Sequence, residues 1–260
     1  MSIVLPVYRN AETLLELYTR LITVLQSHQI DREIIFVDDA SSDESLQILE
    51  NLARKDATVG VLALTKNVGQ HRAILLGLAH AHADIIVVMD ADLQDPPEAI
   101  PLLLSKLSEN FSAVFAGKRG HYESVSRLIT SRIYKVIFHL LSGAPIDAGL
   151  YFAIDRRMCN RLLQMRVNRP SIIAMLASAG LPLVSIPVER SRRVHGTSAY
   201  TFFSRFKSGL VSFVSLLSLR VQLKLARPVK IFHETVEYKR IGNIFQQHPG
   251  ELNEPFNGTR

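Results

Sequence analysis

The stretch "VVMDADLQDPPE", residues 87–98, is an apolar run that ends in closely spaced carboxylates. Asp90 and Asp92 are one residue apart, and two such carboxylates in a folded chain repel each other and lose solvation. A bound cation would offset both costs. Carboxylate oxygens suit hard divalent ions such as Mg or Mn, which keep coordination positions open for substrate phosphates. The stretch therefore predicts a buried strand that ends at a metal site.

The apolar part of that stretch belongs to a series of five short runs rich in Val and Ile. They are "SIVLPVY" at 2–8, "EIIFVDD" at 33–39, "VGVLALT" at 59–65, "DIIVVMD" at 84–90 and "SAVFAGK" at 112–118. Because the runs are apolar on both faces, they predict strands of a buried, largely parallel sheet. The segments between them are helical in pattern: Leu14, Tyr18, Leu21 and Leu25 recur at the helical period, and Ser41 with Glu44 forms a capping-box pattern. This alternation predicts a doubly wound α/β fold, a mostly parallel sheet flanked by helices.

The second half of the chain has a different pattern after Gly120. It predicts a long helix over 124–141, a weaker strand around 150–154, helices over roughly 156–179 and a strand "LVSIPVE" at 183–189. We expect this half to complete the sheet and to form a second wall beside the first half. The main domain is placed at 1–199, divided into a half at 1–120 and a half at 121–199.

The C-terminal part begins with "YTFFSRFKSGLVSFVSLLSL" at 200–219, which is apolar and aromatic but interrupted by Ser and Gly. Its unbroken apolar part is shorter than the roughly 20 residues that span a bilayer. We therefore predict an amphipathic helix within 200–226, which lies in the membrane interface or packs in the core or against a second copy. Residues 227–260 are polar with little periodicity and are predicted to form a tail or extended arm.

Composition limits the classes of partner and of compartment. The chain has 30 Lys and Arg against 24 Asp and Glu, a formal charge of +6. This excess suits phosphates, nucleotides or an anionic bilayer, and we expect no nucleic-acid partner. The single cysteine, Cys159, excludes an internal disulfide framework and a thiolate zinc site. Because the first predicted strand begins at Ser2 with no signal sequence before it, we expect an intracellular protein.

Carboxylate pairs follow two of the predicted strands. Asp38 and Asp39 end one strand, and Asp90 and Asp92 follow another. Ligands of doubly wound sheets bind beyond the carboxyl ends of the strands, so both pairs should face one crevice. The sequence contains neither G-x-G-x-x-G nor a Walker-type glycine loop, which are the usual cradles for phosphates. A metal held by the carboxylates is therefore predicted to bind the phosphate groups of a ligand.

These features resemble the family-2 glycosyltransferases with the GT-A fold, especially the branch of dolichyl-phosphate mannose synthases and bacterial polyprenyl-phosphate glycosyltransferases. The matching segments, which span roughly residues 1–220, are "LPVYRN", "IIFVDDASSDES", "KNVGQHRAILLGLAHAHADIIVVMDADLQDPPE", "AGKR" and "RRVHGTSAY". The resemblance implies an inverting hexosyltransferase that uses a nucleotide diphosphate sugar and Mg or Mn. It also implies that the two halves of the main domain bind the nucleotide sugar and the acceptor, respectively.

The resemblance further implies roles for individual residues. The positions that hold the base and ribose are Pro6, Tyr8, Val37 and Asp39, with Asp38 beside them in the crevice. The positions around the diphosphate are Asp90, Ala91, Asp92 and Gln94, of which Asp90, Asp92 and Gln94 are the metal ligands. Arg119 corresponds to the family's sugar- or phosphate-binding arginine, and Arg193 with Ser198 to its mobile loop. We expect Asp92, Arg119 and Arg193 to take part in catalysis.

The acceptor is predicted from a missing feature. Inverting transfer to a hydroxyl calls for a general base, yet the Glu-Asp pair that many family members carry is absent between Glu123 and Glu189. A phosphate needs no base, which favours a polyprenyl phosphate at the cytoplasmic face of the membrane. Arg127 and Arg132 could hold that phosphate, or form a solvated basic face.

Two other functions stay open. In the first, a saccharide hydroxyl is the acceptor in cell-surface polysaccharide synthesis and Asp147 is the base. In the second, the chain is a non-catalytic nucleotide-sugar binding subunit. Homo-oligomer formation is left open as well. His71, His80 and His82 lack a convincing acidic partner in the sequence and are predicted as surface or capping residues.

Overall fold

The computed structural model describes residues 1–119, 136–165, 167–189, 214, 216, 217 and 237–245. Within them, eight strands form one sheet in the order β7-β5-β6-β4-β1-β2-β3-β8. The strands are β1 Ser2–Val7, β2 Glu33–Asp38, β3 Val59–Leu64, β4 Ile85–Val88, β5 Ala113–Arg119, β6 Phe152–Asp155, β7 Leu183–Glu189 and β8 Tyr238–Ile241. The first five were predicted to within two residues of each end, and "LVSIPVE" coincides with β7.

Strand direction follows the expectation for a mostly parallel sheet. β1 pairs in parallel with β2 and with β4, β2 with β3, and β5 with β7. β6 runs antiparallel between β4 and β5, and β8 runs antiparallel at the edge beside β3. The sheet is therefore mixed, with its parallel centre formed by the first half of the chain.

Helices cover both faces of the sheet, as expected for a doubly wound fold. They are α1 Ala11–Ser27, α2 Ser45–Lys55, α3 Gln70–Ala79, α4 Ile100–Leu107, α5 Arg156–Gln164 and α6 Ile172–Ser178. Buried side chains of α1, α2 and α4 form the core on one face, and those of α3, α5 and α6 form the core on the other. A helical segment over 136–142 is the described part of the helix predicted at 124–141.

The predicted capping box at Ser41 and Glu44 is wrong. Helix α2 begins at Ser45, and no side chain caps it at Glu44. The hydroxyl of Ser41 instead accepts a hydrogen bond from the backbone N–H of Arg9 at 3.0 Å. The carboxylate of Asp43 accepts from the N–H groups of Ser45 and Ala11 at 3.1 and 3.2 Å. Ser41 and Asp43 therefore bind backbone N–H groups that follow β1. Such groups compete with the start of a helix for short polar side chains.

Part of the predicted tail or arm belongs to the sheet. β8 pairs with β3 over four residues, and a short 3-10 turn after it, Asn243–Phe245, buries Ile244 and Phe245 in the core. The hydroxyl of Tyr238 lies 3.1 Å from Nε2 of His80. The other residues of 227–260 lie outside the described part of the chain.

The predicted amphipathic helix at 200–226 is described only at 214, 216 and 217. These residues are helical, and Leu216 is buried with Phe138, Ala144 and Ala174. Val214 and Leu217 are exposed. Among the described residues, no helix has the length and apolarity needed to cross a bilayer.

Candidate active site

One edge of the sheet collects the predicted site residues. The carboxyl ends of β1, β2, β4 and β5 meet there because these strands are parallel or linked through β6. β6 begins at this edge, since its first residue Phe152 pairs with Val88 of β4 and with Phe115 of β5. The Asp38–Asp39 pair, the Asp90–Asp92 pair and Asp147, which precedes β6, therefore all lie at the same end of the sheet.

Asp90 and Asp92 lie on a loop, residues 90–96, which we call the D-x-D loop. Oδ1 of Asp90 accepts a hydrogen bond from Nε2 of Gln70 at 2.5 Å, and the backbone N–H of Asp90 donates to Oδ2 of Asp95 at 3.2 Å. Oδ1 of Asp92 accepts from the backbone N–H of Gln94 at 3.1 Å. Leu93, between them, has a left-handed backbone with φ of 61° and a buried side chain. Hydrogen bonds thus orient the two partly exposed carboxylates, and the buried side chain of Leu93 anchors the turn in the core.

Side chains from distant parts of the chain fix the rest of the D-x-D loop. The hydroxyl of Thr13, at the start of α1, donates to the carbonyl oxygen of Ala91 at 2.6 Å. The hydroxyl of Tyr151, which is fully buried before β6, donates to the carbonyl oxygen of Pro96 at 2.8 Å. Gln70, Thr13 and Tyr151 were not among the predicted site residues.

The pattern of Asp95, two prolines and Glu98 predicts helix capping by both acids, and that prediction is wrong. The 3-10 turn Pro97–Ala99 has no side-chain cap. Buried Asp95 binds the backbone of Asp90, and Glu98 accepts from two nitrogens of the Arg20 guanidinium at 3.0 and 2.8 Å. Glu98 is thus bound by Arg20, 78 residues away, and Asp95 by a backbone group of its own loop.

Asp38 and Asp39 are almost fully buried at the end of β2. Oδ2 of Asp38 accepts from the backbone N–H of Ser41 at 3.3 Å, and Oδ1 is buried without a hydrogen-bond partner among the described residues. Both oxygens of Asp39 accept from backbone N–H groups, from Val68 at 2.7 Å and from Gly69 at 2.9 Å. Burial raises the pKa of both carboxyls, and these hydrogen bonds act in the opposite direction. Asp39 therefore holds the loop before α3, and Oδ1 of Asp38 is an acceptor that no described residue satisfies.

The other residues predicted to hold the base lie beside this pair. Pro6 and Val37 are paired across β1 and β2, and both are buried. Tyr8 is 44% exposed, and the guanidinium carbon of Arg9 lies 5.5 Å from the centre of its ring. Tyr8 is therefore the residue of this group whose side chain is open to a ligand.

Asp147 lies against β5. A β-carbon at Gly117 would overlap the carboxylate of Asp147 and the hydroxyl of Ser185, so only glycine leaves room for this arrangement. Arg119 is the last residue of β5, which places its backbone at the same edge of the sheet. Its side chain, and the whole of Arg193, Ser198, Arg127 and Arg132, lie outside the described part of the chain.

The D-x-D loop offers few metal ligands of its own. In the parts of the chain that the structure describes, no group of three His, Cys, Asp or Glu side chains could hold a metal by itself. Two carboxylates with fixed orientation, together with the side-chain amide oxygen of Gln94, instead suit an ion that completes its coordination with ligand phosphates and water. Mg characteristically binds in this way. The residues present therefore fit a metal that binds together with a diphosphate.

His80 caps the end of α3, as predicted, whereas His71 and His82 are bound to other parts of the chain. Nδ1 of His71 accepts from the backbone N–H of Ile172 at 3.4 Å, and burial lowers the pKa of His71 to about 4. His80 is buried between Leu76 and Tyr238, with ring nitrogens 2.9 and 3.1 Å from their oxygens. His82 does have an acidic partner, since Nδ1 lies 3.1 Å from Oε2 of Glu33.

Comparison with known proteins identifies related sequences. The model of the family "Glycosyl transferase family 2" matches residues 2–167. The undecaprenyl-phosphate 4-deoxy-4-formamido-L-arabinose transferase of Salmonella choleraesuis is 33% identical over 205 residues, which are 78% of this chain and 63% of that protein. The protein of the same name from Enterobacter sp. is 34% identical over the same shares. The chain thus spans less than two thirds of the length of these curated relatives.

Solved structures share the fold. The mannosyl-3-phosphoglycerate synthase of Rubrobacter xylanophilus has a TM-score of 0.63 at 17% identity, covering 91% of this chain and 78% of that one. The mannosyltransferase of Pyrobaculum calidifontis, solved in complex with GDP-Man and Mn2+, has a TM-score of 0.62 at 20% identity, covering 86% and 70%. The predicted GT-A architecture is confirmed by this likeness.

Proposed function

The chain belongs to glycosyl transferase family 2, and on that premise we propose that it transfers a sugar from a nucleotide diphosphate sugar to a polyprenyl phosphate, with inversion at the sugar. The observation that best supports this function is the D-x-D loop, whose carboxylates are oriented by hydrogen bonds at the sheet edge that also carries Asp38 and Asp39. The relatives at 33–34% identity are named as undecaprenyl-phosphate sugar transferases, which supports a lipid phosphate as the acceptor.

Asp90, Asp92 and Gln94 would hold the divalent metal, Mg or Mn. When bound there, the metal would supply positive charge that stabilises the diphosphate as a leaving group. The protein's own contribution is to fix both carboxylates before the substrate arrives. Mn2+ accompanies GDP-Man in the Pyrobaculum mannosyltransferase structure, which supports a metal of this kind.

The nucleotide would lie along the ends of β1 and β2. Oδ1 of Asp38 is a buried acceptor that an N–H or O–H of the base or ribose would satisfy. Tyr8 offers an exposed ring for the base, and Pro6, Val37 and Asp39 shape the same place. Arg119 and Arg193, with Ser198, would bind the diphosphate, and their charge-assisted hydrogen bonds would strengthen as negative charge grows on the departing nucleotide.

The chemical step needs no proton transfer when the acceptor is a phosphate. An anionic oxygen of the lipid phosphate attacks the anomeric carbon of the sugar, and the bond from that carbon to the diphosphate oxygen breaks. The electron pair leaves with the nucleoside diphosphate. Asp147, beside Gly117 at the same sheet edge, would instead act as a base if the acceptor were a saccharide hydroxyl.

We place the protein at the cytoplasmic face of the membrane, as a peripheral protein attached through the amphipathic segment at 200–226. Vesicle flotation tests this placement with a variant in which Phe203 and Phe206 are both replaced by Ser. A matched control replaces Leu15 and Leu102 by Ser; these leucines are 57% and 52% exposed on α1 and α4. The first variant should float less than the wild type with vesicles that contain an anionic lipid, and the control should not. Equal recovery of all three proteins would contradict the placement.

Nucleotide release tests the proposed reaction. The purified protein is incubated with UDP, GDP or dTDP sugars and Mn2+ or Mg2+, with and without a short polyprenyl phosphate. Release that requires both the metal and the lipid phosphate is expected, and the active donor identifies the base and the sugar. Donor binding with release stimulated only by a saccharide would transfer the acceptor role to a hydroxyl and implicate Asp147. A protein that binds no donor would refute the catalytic function.

A further inference from the structure

The first residue of α3, Gln70, joins the nucleotide side of the site to the metal side. Its side-chain amide donates to Oδ1 of Asp90 at 2.5 Å. The two residues before it, Val68 and Gly69, donate their backbone N–H groups to the two oxygens of Asp39. Three consecutive residues, the two before α3 and its first residue, are therefore bound to carboxylates that follow two different strands.

The position of Gln70 is determined by the backbone as well as by these contacts. Gly69 has φ of 89°, a conformation that side chains with a β-carbon disfavour. Its carbonyl oxygen accepts from the N–H groups of Arg72 and Ala73 at 3.0 and 3.1 Å, and this starts the helix. Gln70 thus leaves a rigid helix end that is itself held by Asp39.

The other side of this helix end is fixed to the second half of the chain. Nη2 of Arg72 donates to the carbonyl oxygen of Asn168 at 3.0 Å, and Nδ1 of His71 accepts from the N–H of Ile172 at 3.4 Å. The helix start that carries Gln70 is therefore bound both to Asp39 and to residues of the second half of the chain. An amide placed in this way restricts the carboxylate that it contacts to one orientation.

We propose that Gln70 is a positioning residue that holds Asp90 in the orientation required to bind the divalent ion, and that it couples this orientation to the loop bound by Asp39. The inference rests on the proposed function, because it assumes that Asp90 is a metal ligand. A neutral amide suits this role, since it donates to one carboxylate oxygen without neutralising the charge that attracts the metal. Partners of this kind orient a ligand without contacting the metal.

Manganese binding tests the role directly. Electron paramagnetic resonance of free Mn2+ is measured during titration of the protein together with UDP or GDP, whichever the wild type binds. The variants are Gln70→Ala and Gln70→Asn, whose amide is one methylene too short to reach Asp90. The matched control is Gln47→Ala, which removes an exposed glutamine from α2. Loss of a residue that orients a metal ligand typically weakens metal binding about 10- to 100-fold, and we expect both Gln70 variants to lie in that range.

Four further measurements separate positioning from general damage. The thermal midpoint without metal and the affinity for the nucleotide in EDTA should match the wild type in both Gln70 variants. The Mn2+ concentration for half-maximal transfer should rise with the Mn2+ dissociation constant, while kcat at saturating Mn2+ changes less. Equal Mn2+ affinity in wild type and variants would refute the positioning role, and the proposed function would stand if the wild type still catalysed transfer. A loss of nucleotide affinity in EDTA as large as the loss of Mn2+ affinity would also refute it. If the wild type bound no Mn2+, the metal part of the proposed function would fail together with the inference.

Discussion

The hydroxyl of Tyr151 should stabilise both the fold and the D-x-D loop, and Tyr151→Phe removes that hydroxyl alone. The side chain is fully buried, so phenylalanine keeps the packing of the ring. The lost bond, 2.8 Å to the carbonyl oxygen of Pro96, leaves that oxygen without this donor. A buried acceptor that loses its donor typically costs about 1–3 kcal/mol. Since Pro96 is partly exposed, water can replace part of the bond, and we expect a cost of about 1 kcal/mol.

Two assays measure this change. For a chain of this size, a cost of about 1 kcal/mol lowers the thermal midpoint by roughly 2–4 °C. The same change frees the end of the D-x-D loop, and because small misplacements of reacting groups reduce rates strongly, we expect kcat/KM for transfer to fall about tenfold. Both are measured on the purified variant, with kcat/KM determined well below the thermal midpoint.

Tyr18→Phe is the matched control. Its hydroxyl donates to Oδ2 of Asp56 at 2.8 Å, before β3 and at the opposite edge of the sheet. Burial and the hydrogen bond to Asp56 raise the pKa of Tyr18 to about 12. This variant should lose stability without losing kcat/KM. An unchanged midpoint and unchanged kcat/KM for Tyr151→Phe would refute the assigned contact, and an equal loss of kcat/KM in the control would show that activity only follows stability.

Three other substitutions test separate features. On the proposed role of Asp92 as a metal ligand, Asp92→Asn should lower kcat at least about 100-fold, because the bound metal contributes several kcal/mol to stabilising the leaving group. Full turnover at saturating metal would rule out Asp92 as a ligand. His71→Asn should reduce the dependence of stability on pH. The folded pKa of His71, about 4, lies below the unfolded value of 6.5, so the wild type loses up to about 3 kcal/mol of unfolding free energy as pH falls from 6.5 to 4. Urea unfolding at pH 7 and 4.5 measures this loss, and equal losses in both proteins would contradict it. Phe245→Ala should lower the free energy of unfolding in urea by about 3 kcal/mol, because the ring packs in the core against His80. A smaller loss than that of Tyr151→Phe would show that β8 is only loosely held.

The central strands could be predicted because a strand buried on both faces is apolar along its whole length. The direction of β6 could not be predicted, since an apolar run does not show whether a strand is parallel or antiparallel. β8 was not predicted, for a different reason. Its sequence "YKRI" is mostly polar, as suits an edge strand with one side toward solvent, and only the buried Ile244 and Phe245 after it indicate a fixed position.

In the candidate site, the residues of the motif could be predicted, whereas the residues that orient its loop could not. The carboxylates of Asp90 and Asp92 were found because both lie within one short motif at the end of an apolar run. The donors that orient their loop are 20, 78 and 55 residues away from their acceptors, in Gln70, Thr13 and Tyr151, and no local pattern marks them. The capping prediction at Glu98 failed for the same reason, because its carboxylate binds Arg20, 78 residues away.

Metal dependence is expected to vary with residues outside the motif as well as with the motif itself. The motif supplies charge, but the loop that carries this charge is oriented by hydrogen bonds from Gln70 and Tyr151, which lie outside the motif. Substitution at Gln70 or Tyr151 should therefore change metal affinity and rate while the motif stays intact. Two chains with the same "DADLQDPPE" stretch can then differ in metal dependence, and the residues responsible would be found on α3 and before β6 rather than in the motif.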